Sequence, residues 1–449
     1  MGKFFGTDGI RAVANDGLDC TLALKVGQAA AEVLTEEKHH RALIVIGKDT
    51  RISSDMLEAA LVAGICSSGA DVLLVGVAPT PAVAHITKLK KADAGIVISA
   101  SHNSFEHNGI KIFNSDGFKL SDALEERIEE LILSSALTMK TGEDIGKVFL
   151  DSASVDEYIS SLAATVTEDL SGLHLLVDCA NGAASSTAEK LFEKVGAKAD
   201  IIFSDPDGVN INAGCGSTHL GALAERVISG GYDAGIAFDG DADRCLIIDE
   251  SGGIIDGDKM MAVCGCDMME KGLLRGDTIV ATVMSNLGFH MFCRENGLKV
   301  LCAPVGDRYV LEQMQKGGYS LGGEQSGHLI FLDHSTTGDG QLSALRFLEI
   351  VVKKGVKFSE FSSCFAQYPQ ILSNIIVKNS VKAILSDAPE LVVATELAQE
   401  RLGPDGRILI RPSGTEPLVR VMVEGVDAAS VEQAAAELTA VVKKLSDRV

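Results

Sequence analysis

The chain has 449 residues, 46% of them apolar, and a formal net charge of −22. That length allows about three domains, and the apolar share supplies cores rather than extended disorder. The acidic balance argues against a nucleic-acid partner, because phosphate backbones attract basic surfaces, but a few well-placed arginines still hold a small anionic substrate.

The start, MGKFFGTDGIRAV, lacks the long apolar stretch of a secretory signal. Gly6 stands where a myristoylation signal wants Ser or Thr. No apolar run reaches the roughly 18 residues a membrane span needs, so no membrane partner is expected. The ten cysteines are scattered and mostly in apolar surroundings, which predicts reduced thiols in a cytoplasmic protein. Cys264-Gly265-Cys266 is the one close pair, with no second pair near enough to complete a zinc site.

Along the chain, RALIVIGKDT predicts a strand, DMLEAALVAGICSSGA a helix and DVLLVGV a strand. Next comes GIVISASHNSFEHNGIKIF, residues 95–113, two apolar runs separated by a densely polar loop. A polar, less regular stretch near 137–155 marks the end of a first domain. LHLLVDCANGA is a strand and turn before a helix to about Val195, and AGIAFDGDADR is a strand ending in an acidic loop. The hairpin-like CLIIDESGGIIDGDKM, 245–260, leads into a third domain with strands DTIVATV and KVLCAPV around LGFHMFCRENG. FSEFSSCFAQYPQI, near 358–371, leads to a smaller last unit. Strands alternating with helices imply α/β layers. Three strands end in a polar loop, GIVISASHN, AGIAFDGDADR and YSLGGEQSGH. Ligands gather at the carboxyl ends of strands in such sheets, so the three loops predict one shared cleft.

In DGDADR, Asp239, Asp241 and Asp243 alternate after a buried strand and can converge on one hard cation, Mg²⁺ or Ca²⁺. An EF-hand is rejected: its sixth position is Arg244 where that loop needs glycine, although Glu250 falls at its twelfth. An aspartate nucleophile at Asp239 would leave the serine loop unexplained. Ser101, one residue beyond its strand and followed by His102 and Asn103, is a weak nucleophile when free. It becomes useful carrying a phosphoryl group beside a divalent cation. Lys111, on GIKIF, brings a positive charge or a proton. A hydrolytic serine at Ser320, in GYSLG, lacks the strand before and helix after that a nucleophile elbow needs. In GGEQSGH, Glu324 and Ser326 suit sugar hydroxyls, with His328 closing the loop. In RPSGTEPLVRVMVEG, Arg411, Ser413, Gly414, Thr415 and Arg420 surround a turn fit for phosphate.

With these residues in place, the chain resembles the α-D-phosphohexomutase superfamily over its whole length. FGTDGIRA at 5–12, SASHN at 99–103, DGDADR at 239–244, VGDRYV at 305–310, GGEQSGH at 322–328 and RPSGTEP at 411–417 occur in family order. The resemblance implies three similar mixed α/β domains, 1–153, 154–252 and 253–367, and a smaller α+β C-terminal domain, 368–449, around a central cleft. It implies a phosphoserine at Ser101 and one Mg²⁺ per chain held by Asp239, Asp241, Asp243 and a phosphoserine oxygen. Arg11 and Arg244 would steady the transferring group, Lys111 and His328 are the proton-transfer candidates, and His102 orients the loop. Glu324, Ser326 and Arg308 would bind the sugar, and the 411–420 segment its other phosphate. The glutamine in GGEQSGH, with VGDR before it, is more similar to the glucosamine-phosphate branch than to the mannose or glucose ones. The expected reaction is therefore interconversion of glucosamine 6-phosphate and glucosamine 1-phosphate, feeding amino-sugar nucleotide synthesis, with mannose or glucose phosphates as the alternative substrates. A homodimer stays open. One departure is Ser104, where many members have proline; proline would stiffen the loop, so Ser104 is expected to loosen it.

Overall fold

The structure is a computed structural model that describes all residues except 1–3, 7, 36–39, 135, 379, 381, 383, 384, 386, 387, 413–417 and 449. Packing divides the chain into two compact units: Met1–Met284 with Asn296–Cys364, and Ser285–Glu295 with Phe365–Val449.

The first unit holds three sheets built by one device. In the first, Leu43–Lys48, Asp71–Val77 and Ala94–Ile98 run parallel, and His107–Asn114 returns antiparallel beside Ala94–Ile98 with Ile98 opposite Ile110. In the second, His174–Asp178 lies between the parallel strands Lys198–Ile202 and Ala234–Phe238, and Cys245–Asp249 returns antiparallel with Phe238 opposite Cys245. In the third, Thr278–Thr282 lies between Lys299–Ala303 and Leu321–Gly323, and Leu329–Phe331 returns with Gly323 opposite Leu329. Each of the three polar loops is thus the same hairpin: it joins the last parallel strand to its antiparallel return. The strands entering the first two are buried at every residue. That is why they read as continuous apolar runs instead of alternating ones.

The irregular stretch near 137–155 proves to contain a short strand, Val148–Leu150, parallel to Asp71–Val77, so the first sheet extends to residue 150. Its core includes Leu18, Val26, Ile44, Ile46, Leu57, Leu61, Ile96 and Ile98. The helices Cys20–Thr35 and Ile52–Ser67 approach closely over Gly64, where an added Cβ would lie 2.1 Å from the Leu24 carbonyl oxygen.

The second unit is a three-stranded antiparallel sheet, with Leu418–Glu424 between Gln370–Ile376 and Arg407–Pro412. The helices Pro389–Leu402 and Ala428–Arg448 accompany it, and Val419, Val421, Val423, Val431, Leu438 and Val442 form its core. The helix Leu287–Glu295 also belongs here, although chain order places it between strands of the third sheet. Its first amide, Leu287 N, donates to buried Glu424 at 2.9 Å, and Asn286 exchanges two hydrogen bonds with the Tyr368 backbone. The chain is of α/β class with a smaller C-terminal domain, as its alternation of strands and helices predicted. Among the described residues, no helix is long and apolar enough to cross a membrane.

Candidate active site

Ser101 follows the end of Ala94–Ile98 in a left-handed backbone conformation, φ +51°, uncommon for a residue with a side chain. It is buried, and its hydroxyl donates to Asp239 Oδ2 at 2.6 Å. Its amide donates to Ser99 Oγ at 2.9 Å, and His102 Nδ1 lies 3.3 Å from its Oγ. Burial first, then the charges of Arg244 and Arg11, push the His102 imidazole down to about 4, so the ring is neutral at neutral pH. The loop is also held from outside it. Arg51 Nη2 donates to the carbonyls of Ser101 and Asn103, at 3.0 and 2.6 Å, and Asn212 Nδ2 donates to the same two oxygens at 2.9 Å each.

Asp239, Asp241 and Asp243 each offer a carboxylate oxygen within 4.8 Å of the others, and all three are buried. Asp241 Oδ2 accepts from Thr80 Oγ1 at 2.7 Å and from Lys111 Nζ at 2.8 Å. Asp241 Oδ1 and Asp243 Oδ1 are buried with no hydrogen-bond partner. Orphaned buried carboxylate oxygens are costly. Burial first, then its two acidic neighbours, hold the Asp239 carboxyl well above the usual range. Hard, unpaired, mutually repelling oxygens at this spacing fit a divalent cation of the Mg²⁺ type.

Beyond the cluster runs a chain of alternating charge. Lys111 Nζ lies 2.8 Å from Asp241, 3.0 Å from Asp8 and 3.4 Å from Asp243. Burial alone would lower this amine, but the carboxylates outweigh it and raise it well above its ordinary value. Asp8 also pairs with Arg11 at 2.8 Å and with Lys119, and Lys119 pairs in turn with Asp307. His328 is buried, with Nε2 3.6 Å from Asp307 Oδ2 and 4.0 Å from Asp243 Oδ2, and neither ring nitrogen has a hydrogen-bond partner. Arg244 Nε is 3.8 Å from Asp243 Oδ1. Glu324 Oε1 accepts from Gly306 N at 3.1 Å, and Ser326 is half-buried in the same loop. The serine, acidic and GGEQSGH loops therefore converge, as their strand-end positions predicted. Arg308 takes protein partners instead: its guanidinium reaches Asp122, Glu125 and Glu312.

In the C-terminal unit, Arg411 and Arg420 face each other across paired strands. Burial, then the like charge of Arg420, lowers the Arg411 proton affinity, a pair that an anion would relieve. Ser413, Gly414 and Thr415 lie outside the described residues. The rejected alternatives find structural roles. Ser320 is buried, donating to the Leu273 carbonyl at 2.9 Å and accepting from Arg275 N at 3.1 Å. Glu250 accepts from Ser359 Oγ at 2.6 Å. Cys264 is a buried thiol that burial pushes up to about 12.

Sequence reasoning passed over Asp8, Arg51, Thr80, Lys119, Asn212 and Asp307, and Asp49, whose carboxylate accepts from Arg51 N at 3.0 Å. The strand-end rule, applied to every strand, would have flagged Asp49 and Arg51 after Leu43–Lys48 and Thr80 after Asp71–Val77. Asp8 and Asp307 stand inside motifs already singled out. Nothing in local pattern marks Asn212 or Lys119.

Fold and site together define an α-D-phosphohexomutase, a phosphoryl-transferring isomerase. The chain belongs to the phosphoglucomutase/phosphomannomutase family: the models of its alpha/beta/alpha domains I, II and III match residues 2–139, 156–253 and 256–368, and that of its C-terminal domain matches 372–441. The chain is similar to a phosphoglucosamine mutase of Acetivibrio thermocellus, 52% identical over 447 residues covering 99% of each chain. In fold it resembles a phosphoglucomutase/phosphomannomutase family protein of Burkholderia thailandensis, with a TM-score of 0.82, 23% identity and coverage of 99% and 98%. It also resembles an Aspergillus fumigatus N-acetylphosphoglucosamine mutase solved with GlcNAc-6P and magnesium, with a TM-score of 0.68, 18% identity and coverage of 99% and 96%.

Proposed function

We propose that this enzyme interconverts glucosamine 6-phosphate and glucosamine 1-phosphate through a phosphoserine at Ser101. The observation that carries the reading is the Ser101 hydroxyl 2.6 Å from a carboxylate of a buried triple-aspartate cluster. The relatives' substrate class, taken from their names, supports the sugar. Phosphomannose and phosphoglucose remain the competing substrates.

In the first half-reaction the bond from phosphorus to Ser101 Oγ breaks and a bond from phosphorus to O1 of glucosamine 6-phosphate forms. The O1 proton passes to a base, the leaving Ser101 Oγ takes up a proton to become the free hydroxyl, and glucosamine 1,6-bisphosphate results. The intermediate turns end for end, Ser101 Oγ gives up its proton to a base as its bond to the 6-phosphorus forms, the bond from phosphorus to O6 breaks, O6 is protonated, and glucosamine 1-phosphate leaves. Asp239, Asp241, Asp243 and a phosphoserine oxygen would hold one Mg²⁺, which when bound would neutralise charge on the transferring group. Lys111, held as an ammonium, acts electrostatically. His328, whose ring nitrogens are buried and unengaged, is the better proton carrier. Arg11 and Arg244 bear on the phosphoryl group, His102 orients the serine, and Glu324 and Ser326 hold sugar hydroxyls. Arg411, Ser413, Gly414, Thr415 and Arg420 bind the phosphate not being transferred. Arg308 serves the sugar site through the segment it braces. The product supplies amino-sugar nucleotide synthesis in the cytoplasm.

Intact-mass analysis and peptide mapping, with Ser101→Ala alongside, test the reading. A phosphate on the peptide containing Ser101, and its loss together with mutase turnover in the variant, are expected. Wild-type turnover by Ser101→Ala would sink it. Comparing turnover of the three hexose 6-phosphates decides the sugar, and stoichiometric release of inorganic phosphate would instead mark a phosphatase.

A further inference from the structure

The serine loop is held by an amide from another domain. Asn212 lies in the segment GVNINAGCGS, residues 208–217, of the second domain, outside the three polar loops. Its Nδ2 donates to the carbonyls of both Ser101 and Asn103 at 2.9 Å. These are the oxygens that Arg51, within the first domain, also engages. Ser101 needs holding, because its left-handed backbone, φ +51°, is unfavourable for a residue with a Cβ.

Asn212 is itself fixed to the acidic loop. Its own φ is +59°, and its amide donates to the Ala180 carbonyl at 2.9 Å. Asp178 then accepts from Ala180 N and Gly216 N, both at 2.8 Å, which ties the turn after His174–Asp178 to the far end of the segment. Ala183 N donates to the Gly240 carbonyl at 2.8 Å, and Ser217 N to the Phe238 carbonyl at 2.9 Å. Phe238 and Gly240 flank Asp239. A Cβ on Gly240 would lie 2.5 Å from the Ser101 carbonyl oxygen and 2.8 Å from Asn212 Nδ2, so the Ser101 and Gly240 backbones and the Asn212 side chain are packed without slack.

We propose that Asn212 is a positioning residue that fixes the backbone of Ser101 against the acidic loop, so that Oγ is presented in register with Asp239. It touches neither substrate nor the reacting atoms; it acts through two carbonyls. The inference rests on the phosphoserine reading above. A misplacement of about 1 Å at a reacting centre costs on the order of 100-fold in rate, so the clamp should appear in kcat and not in KM.

The test is Asn212→Gly, which removes both donors while glycine accepts φ +59° freely. The expected result is kcat about 10- to 100-fold lower, KM for glucosamine 6-phosphate unchanged, and faster amide hydrogen exchange in the peptide spanning 99–106 of cation-free protein. Wild-type kcat with unaltered exchange, or KM and kcat worsening together, overturns the proposal. Asn212→Asp, near-isosteric and tolerant of the same backbone, replaces the donors with repelling oxygens and carries the test if the glycine variant does not fold. Ser101→Ala runs alongside: if it turns over, the phosphoserine reading has failed, and the exchange measurement alone decides whether Asn212 holds the loop.

Discussion

Lys111 is the residue on which the charge balance of the site turns. It is buried within 3.4 Å of Asp8, Asp241 and Asp243. Breaking a buried ion pair by removing one partner leaves the other uncompensated, at about 3–5 kcal/mol. Lys111→Met is therefore expected to lower the stability of cation-free protein by about 3 kcal/mol and turnover by at least about 100-fold. Denaturant unfolding and steady-state kinetics check the two, and added Mg²⁺ should recover part of the stability but not the rate. At this scale the sequence was legible where a motif was short and dense: Ser101 and the three aspartates stand within or next to strand ends. It was illegible where a partner is remote in the chain. Lys119 meets Asp8 and Asp307, 111 and 188 residues away, and no local pattern encodes such a meeting.

Elements set how much backbone the site can borrow. The helices Cys20–Thr35 and Ile52–Ser67 pack through Gly64, and the second of them begins directly after Arg51. Since a Cβ there would meet backbone 2.1 Å away, Gly64→Ala should cost about 1–3 kcal/mol through overpacking. Thermal unfolding measures it, and a variant as stable as the parent would show that the helices can separate at little cost. In the C-terminal unit, His290 on Leu287–Glu295 receives Arg407 Nη1 at 3.4 Å. Burial, then Arg407, lowers its proton affinity from the usual 6.5 to about 4. Between those values the unfolded chain binds the proton that the folded one refuses, so stability is complete above about 6.5 and falls as pH drops toward 4. The loss is at most about 3 kcal/mol. His290→Gln should flatten that part of the unfolding midpoint against pH relative to the parent. An unchanged slope would refute the assignment.

For the whole molecule, cation binding and folding are linked. A ligand that binds only the native state stabilises it by about 2.7 kcal/mol at 100 times its dissociation constant. Mg²⁺ should therefore raise the unfolding temperature of the wild type, and Asp241→Asn should lose most of that rise; differential scanning calorimetry with and without chelator reads both. The sequence alone determined the α/β class, the smaller last domain and the polar loops at the ends of buried strands. These follow from short-range causes: continuous apolar runs make buried strands, and polar residues crowd where such strands end. Only the tertiary structure decided that one amide of Asn212 and one guanidinium of Arg51 grip the same two carbonyls, that Lys111 is an ammonium among carboxylates, and that Leu287–Glu295 packs with the C-terminal sheet. Each of those depends on groups brought within about 3 Å across long stretches of chain, and burial then sets their energies, a quantity that no local pattern contains.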